Sequence, residues 1–122
     1  EDSVFTSGII NQNNTLGYHF DMGNVDNTYS VQFSFVKGLN GGNLVFPKYN
    51  MKIKLTNNSY ILFNNFGLLH GVTPFTLDEE GYRYTAVCYT LKEMQKCMPF
   101  SEELKRAQTK LQNVQWRKCG FS

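Results

Sequence analysis

Up to about Tyr89 the chain breaks into short alternating runs separated by Gly- and Asn-rich punctuation, a pattern that few folds accept. The clearest run is Tyr29-Ser30-Val31-Gln32-Phe33-Ser34-Phe35. On a strand its apolar and aromatic side chains fall on one face and its polar ones on the other. It leads into Lys37-Gly38-Leu39-Asn40-Gly41-Gly42-Asn43, residues that tolerate positive φ and predict a turn. Further strands are predicted at Leu44–Phe46, Met51–Leu55, Tyr60–Phe63 and Arg83–Tyr89. Short strands so closely spaced suggest an antiparallel barrel or sandwich, and ten Phe with seven Tyr reinforce the β reading.

Beyond Tyr89 the character changes. Pro99, then Ser101 as the expected N-cap with Glu102 and Glu103 in the first turn, predicts a helix running to about Gln115. Leu104, Ala107, Leu111 and Val114 recur at helical spacing, which predicts a helix packed on the outside of the barrel. Its basic residues Lys105, Arg106 and Lys110, with Arg117 and Lys118, offer a secondary site for phosphates. The 122 residues suffice for one domain.

Twelve basic against ten acidic side chains give a net charge of +2, so no global electrostatic signature of a nucleic-acid or membrane partner exists. No apolar run approaches the length of a membrane span. Cys88, Cys97 and Cys119 are odd in number, widely spaced and free of any C-x-x-C pattern. They point away from a disulfide framework and toward a reducing intracellular compartment, nucleus or cytoplasm, rather than secretion. The glycosylation triplets at Asn13 and Asn57 occur among thirteen Asn, so chance explains them.

The candidate chemistry rests on the only two histidines. His19 stands two places before Asp21 in Leu16-Gly17-Tyr18-His19-Phe20-Asp21-Met22-Gly23-Asn24, so an extended backbone points both side chains the same way. Alone, the pair reads more readily as a hydrogen bond at a surface strand end. His70, in Leu68-Leu69-His70-Gly71-Val72, follows after enough chain for several strands to return it beside them. Two imidazoles and one carboxylate on one face of a metal leave three coordination positions open, an arrangement suited to non-haem Fe(II) chemistry with oxygen. Downstream, alternation puts Arg83, Thr85, Val87 and Tyr89 on a common strand face. A guanidinium there needs an anionic partner. That partner is either the carboxylate of a small acid, with the Thr85 hydroxyl assisting, or one of Asp78, Glu79 and Glu80 nearby in the chain.

Taken together, His19-x-Asp21, His70 and Arg83-x-Thr85 resemble the pattern of the 2-oxoglutarate- and Fe(II)-dependent dioxygenases over roughly Ser3 to Tyr89. The resemblance implies a double-stranded β-helix, the jelly-roll architecture shared with cupins. It implies that His19, Asp21 and His70 hold iron and act as the catalytic centre, and that Arg83 and Thr85 grip the distal carboxylate of 2-oxoglutarate. Residues 1–122 would then be one dioxygenase core. Such barrels usually lean on helices before the first strand, and only eighteen residues precede His19.

Two details are similar to the TET/JBP branch, which oxidises the 5-methyl group of pyrimidines in DNA. Asn24, three places after Asp21, occupies the position of an Asn that contacts the target cytosine. Tyr89, six residues after Arg83, occupies that of an aromatic stacked on the flipped base. Stacking on an aromatic ring is worth on the order of 1–3 kcal/mol per base, which offsets part of the work of extracting the nucleotide from a duplex. The chain departs from that branch at Leu91, where a histidine would help hold the base edge. The expected substrate is 5-methylcytosine, with thymine or another modified pyrimidine open. The AlkB branch carries a second arginine where this chain has Tyr89. Alternative functions are hydroxylation of a protein side chain or small molecule, and non-catalytic binding by a cupin-like barrel.

Overall fold

The computed structural model describes residues 3–118, with residues 115–118 described by backbone alone, so Cys119 and the side chains of Arg117 and Lys118 lie outside the described residues. By its contacts the chain divides into two compact units, Glu1–Lys92 and Glu93–Ser122.

The first unit is mainly β, in two antiparallel sheets. Seven strands follow one another: β1 (Ser7–Gln12), β2 (Ser30–Gly41), β3 (Leu44–Phe46), β4 (Met51–Ile53), β5 (Ser59–Phe63), β6 (Gly71–Val72) and β7 (Phe75–Tyr89), with a short 3-10 helix at Pro47–Tyr49. The larger sheet has the order β1-β7-β2-β5 and the smaller β4-β3-β6. The smaller sheet is extended by an irregular segment: Val72 N–H donates to Leu16 O at 2.9 Å, and His19 and His70 exchange backbone hydrogen bonds of 2.9 and 3.1 Å.

Two strands outrun the sequence expectation for one reason. The predicted turn at Lys37–Asn43 is not a turn over its whole length, because β2 continues to Gly41 and the reversal is confined to Gly41–Asn43. Gly38, with φ at +55°, sits at the register shift between Lys37 and Leu39 and is absorbed as a bulge. A residue in the left-handed region can kink a ladder without ending it. β7 begins at Phe75, in register with Gly41, so Asp78, Glu79 and Glu80 fall within its span, in a stretch of residues 78–81 that stands opposite Gly38 without pairing to β2.

The alternation of β2 is present, and the polar face is the buried one. Ser30, Gln32 and Ser34 are buried, whereas Phe33 and Phe35 are 38% and 42% exposed. Cross-strand register carries this inner face onto Thr85 and Val87 of β7 and onto Asn11 and Ile9 of β1. Under β5 the interior turns apolar: Leu44, Phe46, Leu55 and Phe63 form the core, with Ile53, Ile61 and Leu68 packed against it. The rings of Phe46 and Phe63 meet edge to face at 5.2 Å, joining the two sheets. Each such side chain contributes roughly 1.5–3 kcal/mol on burial. Leu44 and Phe63 of this core also border a cavity, whose lining continues onto Gln32, Thr85 and Arg83.

The second unit holds a 3-10 helix at Glu93–Lys96 and α1 (Phe100–Lys118). The predicted helix exists, but it begins before Ser101, which lies inside the first turn and is not the N-cap. Glu102 and Glu103 donate their amides to Pro99 O, and the Glu103 carboxylate reaches back to the Met98 N–H at 2.9 Å. Cys88 and Cys97 are free thiols. No helix among the described residues is long and apolar enough to cross a membrane.

Candidate functional site

Local backbone pairing brings the first cluster together. His70 is the residue immediately before β6, and its antiparallel exchange with His19 fixes the two imidazoles side by side, ring centroids 4.4 Å apart. Gly71 permits this approach: a Cβ there would stand 2.9 Å from the Tyr18 ring and 3.2 Å from the backbone of Gly17 and Tyr18. Asp21 is anchored two residues on, its N–H donating to Asn65 O at 3.0 Å. Its carboxylate oxygens lie 3.5 Å from His19 Nε2 and 3.8 Å from His70 Nε2. One ligating atom from each of His19, Asp21 and His70 falls within 4.8 Å of the others.

The second ring nitrogens settle which atoms face inward. His19 Nδ1 is 2.8 Å from Gly17 O and His70 Nδ1 is 2.8 Å from Leu68 O. A carbonyl only accepts, so each Nδ1 carries a proton, and in the neutral ring each Nε2 presents a lone pair toward Asp21. Burial against the Phe63 ring, 5.0 Å away edge to face, lowers the His70 pKa below its ordinary value. Neighbouring His19 pushes it the same way, and the Leu68 carbonyl and Asp21 oppose it. This donor set of two imidazoles and a carboxylate could hold a divalent first-row metal such as Fe(II), Mn(II) or Co(II).

Across the same cavity, Arg83 is only 2% exposed. Its Nη1 donates to Asn14 O at 3.1 Å, its guanidinium lies 5.7 Å from the Phe75 ring centroid, and its Nε has no partner among the described residues. Of the two partners the sequence leaves open, the neighbouring acids do not supply one. Glu80 pairs with Lys37 at 3.1 Å, Asp78 accepts from Asn40, and no described carboxylate lies within ion-pair distance of Arg83. Burial lowers its pKa from the usual arginine value, but a guanidinium starts so high that it stays charged near neutrality. Thr85, equally buried, accepts from Asn11 Nδ2 at 3.4 Å, which leaves its own hydroxyl proton free to donate.

The cavity measures about 290 Å³ and is lined by His19, Asp21, His70, Arg83, Thr85 and Tyr89, together with Asn24 and Gln32. All seven site residues expected from the sequence therefore border one space. Asn24 arrives there through a bridge to Leu91, and the Nδ2 of its buried side chain donates to Asn65 Oδ1 at 2.9 Å and lies 3.3 Å from Ser30 Oγ.

Asn65 and Ser30 are the residues that sequence reasoning misses. Asn65 Nδ2 donates to Asp21 Oδ2, and Ser30 Oγ donates to Asn65 Oδ1 at 2.6 Å. The only signal for Ser30 is its place on the polar face of β2. Asn65 has none, as one of thirteen Asn in the chain. A comparison with protein-family models finds no match, and one with curated proteins finds none either.

Proposed function

We propose that the first unit is a 2-oxoglutarate- and Fe(II)-dependent dioxygenase, its two sheets forming a double-stranded β-helix, that oxidises the 5-methyl group of a pyrimidine in DNA. One observation carries the reading. A converging imidazole-imidazole-carboxylate set shares a cavity with a buried guanidinium that no carboxylate of the described residues neutralises. The first half suits a metal, the second a small dianion that reaches from the metal to the arginine.

His19, Asp21 and His70 would hold Fe(II), which with 2-oxoglutarate and oxygen supplies an oxidant able to hydroxylate a C–H bond. Arg83 binds the distal carboxylate through its guanidinium, and Thr85 donates its hydroxyl proton to the same group. Apolar wall residues Ile9, Leu16, Leu44 and Val87 limit water around the reacting centre. Tyr89, on the face of β7 that Arg83 shares, offers a ring for a base to stack on. Asn24 turns its Nδ2 toward Asn65 Oδ1 and Ser30 Oγ, and its own carbonyl oxygen has no partner among the described residues. An acceptor matches the exocyclic amine of cytosine and opposes the O4 of thymine, which favours 5-methylcytosine as substrate.

The test is nucleoside mass spectrometry after incubation of DNA containing 5-methylcytosine, and separately thymine, with protein, Fe(II) and 2-oxoglutarate. The expected result is hydroxymethylcytosine with stoichiometric succinate, and neither from His70→Ala. Succinate without a new base moves the substrate to a protein side chain or small molecule. Absence of both from well-folded, metal-loaded protein leaves a binding barrel.

A further inference from the structure

Asn65 is 2% exposed and sits on the irregular stretch between β5 and β6, where no chemistry of its own is expected. We infer that it is a positioning residue which orients the Asp21 carboxylate for a metal, an inference that rests on the iron reading above. The orientation of its side chain is fixed from behind: Oδ1 accepts from both Ser30 Oγ at 2.6 Å and Asn24 Nδ2 at 2.9 Å. An amide whose oxygen is held by two donors must turn its NH2 group the other way. That group faces Asp21 and donates to Oδ2, while the Asn65 carbonyl accepts the Asp21 N–H at 3.0 Å. Both the backbone and the carboxylate of Asp21 are thus gripped by one residue.

The consequence is an asymmetric carboxylate. Oδ2 accepts from Asn65, while Oδ1, 3.5 Å from His19 Nε2, has no hydrogen bond from the described residues. Asn24 and Ser30 act one step further back, as the pair that keeps the Asn65 amide from flipping.

The experiment titrates the intact apo protein with Mn(II) alone by calorimetry, and records the visible absorption of the Co(II) form, for wild type, Asn65→Ala and Ser30→Ala. Partners of this kind typically change metal affinity by roughly 10–100-fold. Asn65→Ala is expected to weaken Mn(II) within that range and to alter the Co(II) spectrum, and Ser30→Ala to weaken Mn(II) by less. A change in apo melting temperature with Mn(II) affinity within about twofold of wild type and an unaltered Co(II) spectrum makes Asn65 merely structural and overturns the inference. If Asn65→Ala does not fold, Ser30→Ala decides alone, and unchanged affinity there overturns it. Wild type that binds no Mn(II) or Co(II) overturns the iron reading itself, a result distinct from failure of the Asn65 variant.

Discussion

The two sides of the cavity are built on opposite principles. On the imidazole side the polar atoms that point away from the would-be metal are partnered within the protein: both Nδ1 atoms by backbone carbonyls, Asp21 Oδ2 by Asn65, and Asn65 by Ser30 and Asn24. On the guanidinium side, carried by β2 and β7, Arg83 Nε, Gln32 Nε2 and Ser34 Oγ are buried with no partner among the described residues. The first side is organised by its own hydrogen bonds, which is what a metal site needs before the ion arrives. The second carries unsatisfied polarity, which costs stability unless something that binds there removes it.

That contrast breaks most visibly through the ligands each side would take. A ligand present at 1,000 times its Kd stabilises the folded state by about 4.1 kcal/mol. Mn(II) at that excess is expected to raise the denaturation midpoint of the wild type accordingly and to leave His70→Ala unmoved. The comparison is each protein with and without ion, since His70→Ala also removes a ring packed against Phe63.

Arg83→Met comes next and should act with two signs. The charge and its unpartnered Nε are removed while the volume is roughly kept, so the apo protein is expected to gain about 1–3 kcal/mol in chemical denaturation. The same change removes the response to 2-oxoglutarate. Wild type loaded with Mn(II) gains about 2.7 kcal/mol at 100 times the Kd of the acid, and the variant gains nothing. A variant less stable than wild type in the apo state shows that Arg83 is satisfied within the fold, and the contrast between the two sides then disappears.

Each part of this site was legible to the degree that its cause was local. His19 and Asp21 are two residues apart and Arg83 and Thr85 likewise, so simple alternation puts each pair on one side, and His70 is the only other imidazole. Which face of β2 looks inward is not local. Alternation separates Ser30, Gln32 and Ser34 from Phe33 and Phe35, but burial of the polar set follows from the cavity that the whole sheet encloses. The turn signal around Gly38 was real at the level of φ and misleading at the level of the strand, because a bulge uses the same backbone conformation as a turn. Asn65 meets Asp21 across 44 residues of chain, and nothing in an Asn-rich sequence distinguishes it.

A smaller effect tests how the organised side is assembled. The Gly71→Ala methyl would press on the Tyr18 ring and the Gly17–Tyr18 backbone, which must shift to admit it. Overpacking of this kind costs typically about 1–3 kcal/mol. Because the displaced backbone leads directly into His19, Mn(II) affinity should fall together with stability. The response to 2-oxoglutarate at saturating Mn(II) should survive, since β2 and β7 are untouched. Unchanged metal affinity in a destabilised variant separates the His19–His70 pairing from the metal site.

The smallest expected effect discriminates most finely. Ser34 is 1% exposed and directly in register with Thr85, and its hydroxyl has no partner among the described residues. Ser34→Ala deletes one oxygen and leaves the backbone pairing intact, so an unsatisfied hydroxyl is removed with almost no change of shape. The apo protein is expected to gain about 1 kcal/mol, which for a unit of this size raises the melting temperature by about 4–8 °C. The gain should persist with Mn(II) alone, because Ser34 lies on the other side from the imidazoles. Ser34 does not border the cavity, so the gain should persist with 2-oxoglutarate bound as well. A gain that vanishes on binding shows instead that the ligand changes the packing between β2 and β7 behind Thr85.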